Sequence, residues 1–141
     1  MAIARALIRF GGDGGGVRVA GAVARHGTRL QLRFVIQAAA GSIVVPPPTT
    51  VSTRRDRLWE HTCCEAFVGA AGAAAYAEVN VSPSGDWNVY RFDGYRCGME
   101  PVEGVAVASA PSAPNEDGQV VVAATVDFGG PAAEPARDWE V

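Results

Sequence analysis

The chain is 141 residues long with a formal net charge of −3; 48% of its residues are hydrophobic and 19% are charged. That length and balance predict one globular domain spanning 1–141, with no apolar run long enough to cross a membrane. The acidic sum argues against a nucleic-acid partner, whose phosphates demand a basic face, and the absence of Lys among the 12 basic residues excludes Schiff-base chemistry, a Walker-type phosphate loop and Ser–Lys catalysis.

In chain order, the N-terminal MAIARALIRFGG carries Arg5 and Arg9 inside its apolar stretch and has no small-residue cleavage site, so the chain is expected to be mature and cytoplasmic. Ile3 to Phe10 is a strand candidate. The run GGDGGG at Gly11 to Gly16 lacks dinucleotide-binding spacing and lies between strand-like segments, which predicts a flexible hairpin loop. Val17 to Val23 alternates, and Thr28 to Gln37 does so more cleanly. In the latter, Leu30, Leu32, Phe34 and Ile36 fall on one side and Arg29, Gln31, Arg33 and Gln37 on the other, the pattern of a half-buried strand. Pro46, Pro47 and Pro48 must lie outside any central strand. Arg54, Arg55 and Arg57, interrupted by Asp56, read as a solvated strand edge.

The Ala-rich stretch from Ala70 to Ala75 is short and contains Gly72, so it makes a poor helix. Tyr76 to Val81 and Trp87 to Asp93 read as two strands of a hairpin, Ala110 to Gly118 as an exposed loop, and Val120 to Phe128 as another alternating strand. Gly129 to Arg137 is loop-like and is followed by Trp139-Glu140-Val141. The spacing of strands and turns predicts an all-β fold, an antiparallel β-sandwich of immunoglobulin-like or jelly-roll type. Its C-terminal edge is expected to be unpaired, a route to dimerisation or to a protein partner. Three cysteines, Cys63, Cys64 and Cys97, predict reduced thiols instead of a disulfide framework.

The segment from Arg54 to Met99 reads RRDRLWEHTCCEAFVG, a small-residue spacer, then YAEVNVSPSGDWNVYRFDGYRCGM. It concentrates the aromatic residues of the chain among Glu, Asn, Asp and Arg. Rings beside such groups stack on a flat ligand and hydrogen-bond its edge, whereas the plain alternative makes them the core of a small β domain. A four-residue loop at Ser82-Pro83-Ser84-Gly85 would set Asn80 opposite Trp87, Glu78 opposite Val89 and Tyr76 opposite Arg91; a five-residue loop would slip the register and scatter them.

These two blocks resemble the DOMON-like family of bacterial proteins, whose pattern joins an Asp-x-Leu-Trp element to a Thr-Cys-x-Glu strand and an Asn-x-Ser-Pro-Ser-Gly-x-Trp hairpin. The matching positions are Asp56, Leu58, Trp59, Thr62, Cys63, Glu65, Asn80, Ser82, Pro83, Ser84, Gly85, Trp87, Tyr90, Phe92, Tyr95, Arg96 and Met99. The resemblance implies a β-sandwich similar to family-nine carbohydrate-binding modules and to haem-binding cytochrome domains. It also implies further strands beyond Val141, so that the chain would be C-terminally shortened.

The function expected from these residues is non-catalytic binding of a small molecule, a sugar above all. Trp59 or Trp87 would form the platform and Glu65, Asn80, Arg91, Tyr95 and Arg96 the edge, with no cofactor. A second reading is haem, with Met99, His61 and His26 as axial candidates. A hydrolase is a third: His61 with Cys63 or Cys64 as base and nucleophile, or Glu65 with Glu78 as an acid/base pair. A fourth is a structural or interaction subunit.

Overall fold

The computed structural model describes residues 2–7, 16–129 and 139–140, with side chains described for 16–129. Among the described residues ten strands run in chain order: β1 Ala2–Leu7, β2 Arg18–His26, β3 Arg29–Gln37, β4 Cys64–Ala70, β5 Tyr76–Val81, β6 Trp87–Phe92, β7 Glu100–Pro101, β8 Ala106–Ser109, β9 Gln119–Asp127 and β10 Trp139–Glu140. They form two five-stranded antiparallel sheets, ordered β1-β2-β3-β9-β8 and β10-β4-β5-β6-β7. The fold is therefore the β-sandwich that the alternating patterns predict. No helix among the described residues is long and apolar enough to cross a membrane.

Period-two alternation builds the core directly. In β3 the residues Leu30, Leu32, Phe34 and Ile36 turn inward, in β9 Val120, Val122, Ala124 and Val126 do the same, and from the second sheet Cys64, Ala66, Val68, Ala77, Val79, Val81 and Val89 meet them. Each fully buried Leu, Val or Phe contributes roughly 1.5–3 kcal/mol through removal of apolar surface from water. The tight connection from β2 to β3 needs only Gly27 and Thr28, with Gly27 at φ 62°, a left-handed conformation that glycine takes at no steric cost.

The structure differs from the sequence expectation in two places. The β5–β6 connection is a five-residue loop, Ser82 to Asp86, closed by the bond from Ser82 N to the Asp86 carbonyl at 2.9 Å and by Gly85 N donating to the Ser82 carbonyl at 3.0 Å. The Ser82 hydroxyl accepts from Ser84 N at 3.1 Å, and the Ser84 hydroxyl accepts from Asp86 N at 3.2 Å. Small hydroxyl side chains thus satisfy the backbone of a buried loop that has no water to turn to. At Gly85, φ is 98° and an added Cβ would sit 3.0 Å from Pro111 N, so the turn is also packed against the segment that follows β8.

The second difference concerns Arg54 to Arg57, which form no strand of their own but a strap that starts beside Trp87, the Arg55 and Arg57 side chains being solvated as expected. Arg54 bridges Trp87, Arg55 pairs with the buried Asp86 at 3.0 Å, and Arg57 leads into a short 3-10 helix, Leu58–Glu60, that packs on β5. At the C-terminal side, Trp139 and Glu140 pair with Ala70 and Gly69 of β4 and form the edge strand of that sheet, its outer side unpaired among the described residues. The loops expected at residues 11–15 and 130–137 lie outside the described residues.

Candidate functional site

The outward side of the β4–β5–β6 sheet gathers most of the chemistry-bearing side chains. Alternation that sends Cys64, Ala66 and Val68 inward sends Glu65 and Phe67 outward, and the antiparallel register then fixes their neighbours. Glu65 lies opposite Asn80, which lies opposite Asn88; Phe67 lies opposite Glu78, which lies opposite Tyr90; Gly69 lies opposite Tyr76, which lies opposite Phe92. Three rows of side chains therefore cross three strands on one face.

The rings on this face touch in series. Tyr76 stacks on Phe92 with centroids 4.8 Å apart and planes 9° from parallel, and Phe67 leans on Tyr76 at 5.9 Å. At the other end Trp59, carried by the 3-10 helix, meets Tyr90 edge-on at 5.6 Å. Phe67 is 54% exposed and Trp59 40%, so the rim of the face presents ring surface to solvent. Offset and edge-on pairs of this kind hold rings in place with about 0.5–1.5 kcal/mol each beyond burial.

Polar groups divide into those already satisfied and those that are not. Tyr90 donates its hydroxyl to the Asp56 carboxylate, while Asn88 donates through Nδ2 to the Tyr90 oxygen at 2.8 Å and to the Arg55 carbonyl at 3.1 Å. Burial, then the adjacent Asp56 carboxylate, pushes the Tyr90 phenol up, so it stays protonated and donating at neutral pH. Asn80 is fully buried; its Nδ2 donates to Glu78 Oε1 at 2.9 Å, and its Oδ1 has no hydrogen-bond partner. A buried acceptor left in that condition costs about 1–3 kcal/mol. Burial, and after it the charge on Glu78, raises the Glu65 carboxyl above its usual range. Among the described residues neither Glu65 nor Glu78 is in an ion pair.

Of the residues expected at a site, Trp59, Glu65 and Asn80 lie on this face. Tyr95 and Arg96 sit at its far end, where Arg96 N donates to the Tyr76 hydroxyl at 3.3 Å and the Arg96 guanidinium covers the Tyr95 ring at 5.2 Å. Trp87 and Arg91 do not join them. The five-residue loop pairs Val81 with Trp87 and Ala77 with Arg91, so Trp87 packs against the core under the Arg54 guanidinium, 4.9 Å from its ring, and Arg91 pairs with Glu100 at 2.6 Å. The expected pairing of Asn80 with Trp87 is thereby overturned, along with those of Glu78 with Val89 and Tyr76 with Arg91. Phe67 and Tyr76 were missed as site residues, although the alternation of CEAFVGA already sets Phe67 on the same side as Glu65.

His61 and Met99 do not converge on one iron. His61 lines a cleft of about 840 Å³ at the loop end of β6 with Ser82, Ser84 and Asp86, whereas Met99 follows the other end of that strand. Six residues of strand separate those ends by roughly 17–20 Å. The third axial candidate, His26, closes β2 in the other sheet. Polar walls of the cleft are engaged within the protein, Asp86 with Arg55 and Thr53 and the serines with one another, so the cleft braces the loop. Cys63 precedes β4 and is not on a strand with His61; burial pushes both Cys63 and Cys64 up to about 12, and neither is a thiolate nucleophile at neutral pH.

The chain matches no family model and no curated protein sequence. It is similar in fold to the crystal structure of a "putative carbohydrate-binding protein" from Bacteroides uniformis, at 15% sequence identity with a TM-score of 0.53 over 79% of this chain. The match spans about half of that protein's length, 52%. At this identity the likeness establishes the shared β-sandwich and no more.

Proposed function

We propose that this domain is a non-catalytic binding module for a small polyhydroxylated ligand, a carbohydrate in type, which lies on the outward face of the β4–β5–β6 sheet. The observation that carries the reading is the company kept by Glu65, Glu78 and Asn80: hydrogen-bond acceptors without cationic partners among the described residues, flanked by the part-exposed rings of Phe67 and Trp59. A pyranose offers C–H groups on its faces and hydroxyl donors at its rim, and such a surface meets both demands. The fold neighbour described as carbohydrate-binding is in keeping with this reading. Tyr95 and Arg96 extend the face at its far end, where the Arg96 fork can donate to neighbouring oxygens.

The test is a glycan array read with the wild-type chain and with Phe67→Ala and Glu78→Gln. Binding of defined glycans that both substitutions weaken, with melting curves showing that both variants remain folded, is the expected result. No glycan bound, or binding indifferent to both substitutions, would remove this face as the site.

A further inference from the structure

Between β4 and β5 the polar groups without a cationic partner among the described residues are acceptors. Glu65 and Glu78 are carboxylates on adjacent strands, diagonal to one another across the register that pairs Glu65 with Asn80 and Phe67 with Glu78. The third acceptor is Asn80 Oδ1, in a fully buried side chain whose amide nitrogen is already committed to Glu78 and whose oxygen meets no donor. A neutral sugar hydroxyl both donates and accepts, so a site built only for neutral sugars would offer donors as well. Here the donors near the acceptors, Tyr90 and the Asn88 amide, are engaged with Asp56, Tyr90 and the Arg55 carbonyl.

The second feature is charge. Two carboxylates held close with no cation paired to them among the described residues repel one another, and burial plus Glu78 already holds the Glu65 carboxyl above its normal range. A positive charge brought between them would relieve that repulsion. Rings complete the set: Phe67 lies opposite Glu78, and Tyr76 leans on Phe67 at 5.9 Å. Ring faces attract an ammonium through their quadrupole.

We propose that the ligand presents a protonated amine to the Glu65, Glu78 and Asn80 acceptors beside Phe67, so that the module prefers an amino sugar to a neutral one. The ammonium donates to the two carboxylates, and the buried Asn80 Oδ1 gains its donor once that side chain turns toward the ligand. A divalent metal ion is a poorer occupant, because calcium takes six to eight oxygens and this cluster offers three side chains next to an exposed phenyl ring. The inference rests on the outward face being the binding face.

The experiment is calorimetric titration of the full chain with three tetrasaccharides, of glucosamine, N-acetylglucosamine and glucose, and separately with calcium chloride, below the pKa of the free amine. The glucosamine tetramer is expected to bind roughly tenfold or more tightly than either neutral tetramer. In Glu65→Gln and Glu78→Gln that preference should shrink to within roughly threefold, with melting curves showing that both variants remain folded. Comparable affinity for all three sugars, weakened by Phe67→Ala, would overturn the amine preference and leave the binding face standing. Calcium binding lost in the same Gln variants would also overturn it. Binding of none of the sugars would overturn both readings.

Discussion

The outward sides of the two sheets differ sharply, although one alternation rule builds both. On the first sheet the outward positions of β3 and β9 hold Arg29, Gln31, Arg33, Ala123 and Thr125 beside the half-buried pair Val35 and Val121, and the carboxylate of Asp127 is answered by Arg29 at 3.1 Å. On the second sheet the same positions hold Glu65, Phe67, Tyr76, Glu78, Asn80, Asn88, Tyr90 and Phe92, a strap carries Trp59 across them, and among the described residues two carboxylates lack a cationic partner and one amide oxygen lacks a donor. A face that needs only to be wet is cheap to specify. The second face keeps acceptors next to rings at a cost in stability, and that cost is what points to a ligand.

The largest effect expected from this comparison separates two tryptophans of one sheet. Trp87→Ala, on the core side beneath Arg54, should cost about 3 kcal/mol in urea unfolding and leave ligand affinity unchanged. Trp59→Ala, on the outward side, should cost about 1 kcal/mol or less while weakening binding. The reverse outcome would move the site to the core side of the hairpin.

Next in size are the outward groups themselves. Phe67→Ala and Glu78→Gln should each lower affinity by roughly tenfold, about 1.4 kcal/mol, with a stability loss of about 1 kcal/mol for Phe67→Ala, which ends the ring contact with Tyr76, and a change within about 0.5 kcal/mol for Glu78→Gln.

The pH dependence of stability should take opposite signs on the two faces. Glu65 has a raised folded-state value, so the stability it contributes is fully present below its unfolded value and is lost as pH rises through the folded one; Glu65→Gln should therefore stabilise the protein at neutral pH and lose that advantage in acid. Asp127 is held low first by the hydrogen bond from Arg29 and then by Gly129 N, so its contribution is present above its unfolded value and is lost as pH falls through the folded one. Asp127→Asn should thus destabilise at neutral pH and become silent in acid. Chemical denaturation of the two variants across pH checks both signs.

The smallest effect is expected for Arg33→Ala on the first face: a stability change within about 0.5 kcal/mol and unaltered affinity. A loss of binding there would break the distinction between the faces.

Where alternation was regular, the fold was legible in the sequence. Leu30, Leu32, Phe34 and Ile36 are buried as their spacing demands, and the boundaries of β3, β5, β6 and β9 fall within about a residue of the predicted ones. The site was legible only in part, because its composition depends on a single residue of loop length. Counting Asp86 as strand or as loop decides whether Asn80 faces Trp87 or Asn88, and the alternation pattern does not mark that choice. It is fixed by the hydrogen bonds of Ser82 and Ser84 inside the loop together with Asp86 accepting from Thr53 and pairing with Arg55, contacts with a strap more than thirty residues earlier in the chain. The strap escaped detection for a related reason. Its turn runs through Arg57 at φ 60°, a left-handed residue that carries none of the usual glycine signal. Phe67 could have been found from the alternation of β4 alone, since an exposed Phe opposite a carboxylate is not what a core pattern needs.

The central claim, that the outward face of the second sheet is the binding face, is tested most directly by a titration of the 15N-labelled chain with the glucosamine tetramer, followed by backbone amide shifts. The account predicts shifts concentrated at Glu65 to Phe67, Tyr76 to Asn80 and Asn88 to Phe92, with the amides of β2, β3 and β9 unmoved. Shifts centred on the first sheet, or a spectrum unchanged at saturating sugar, would contradict it.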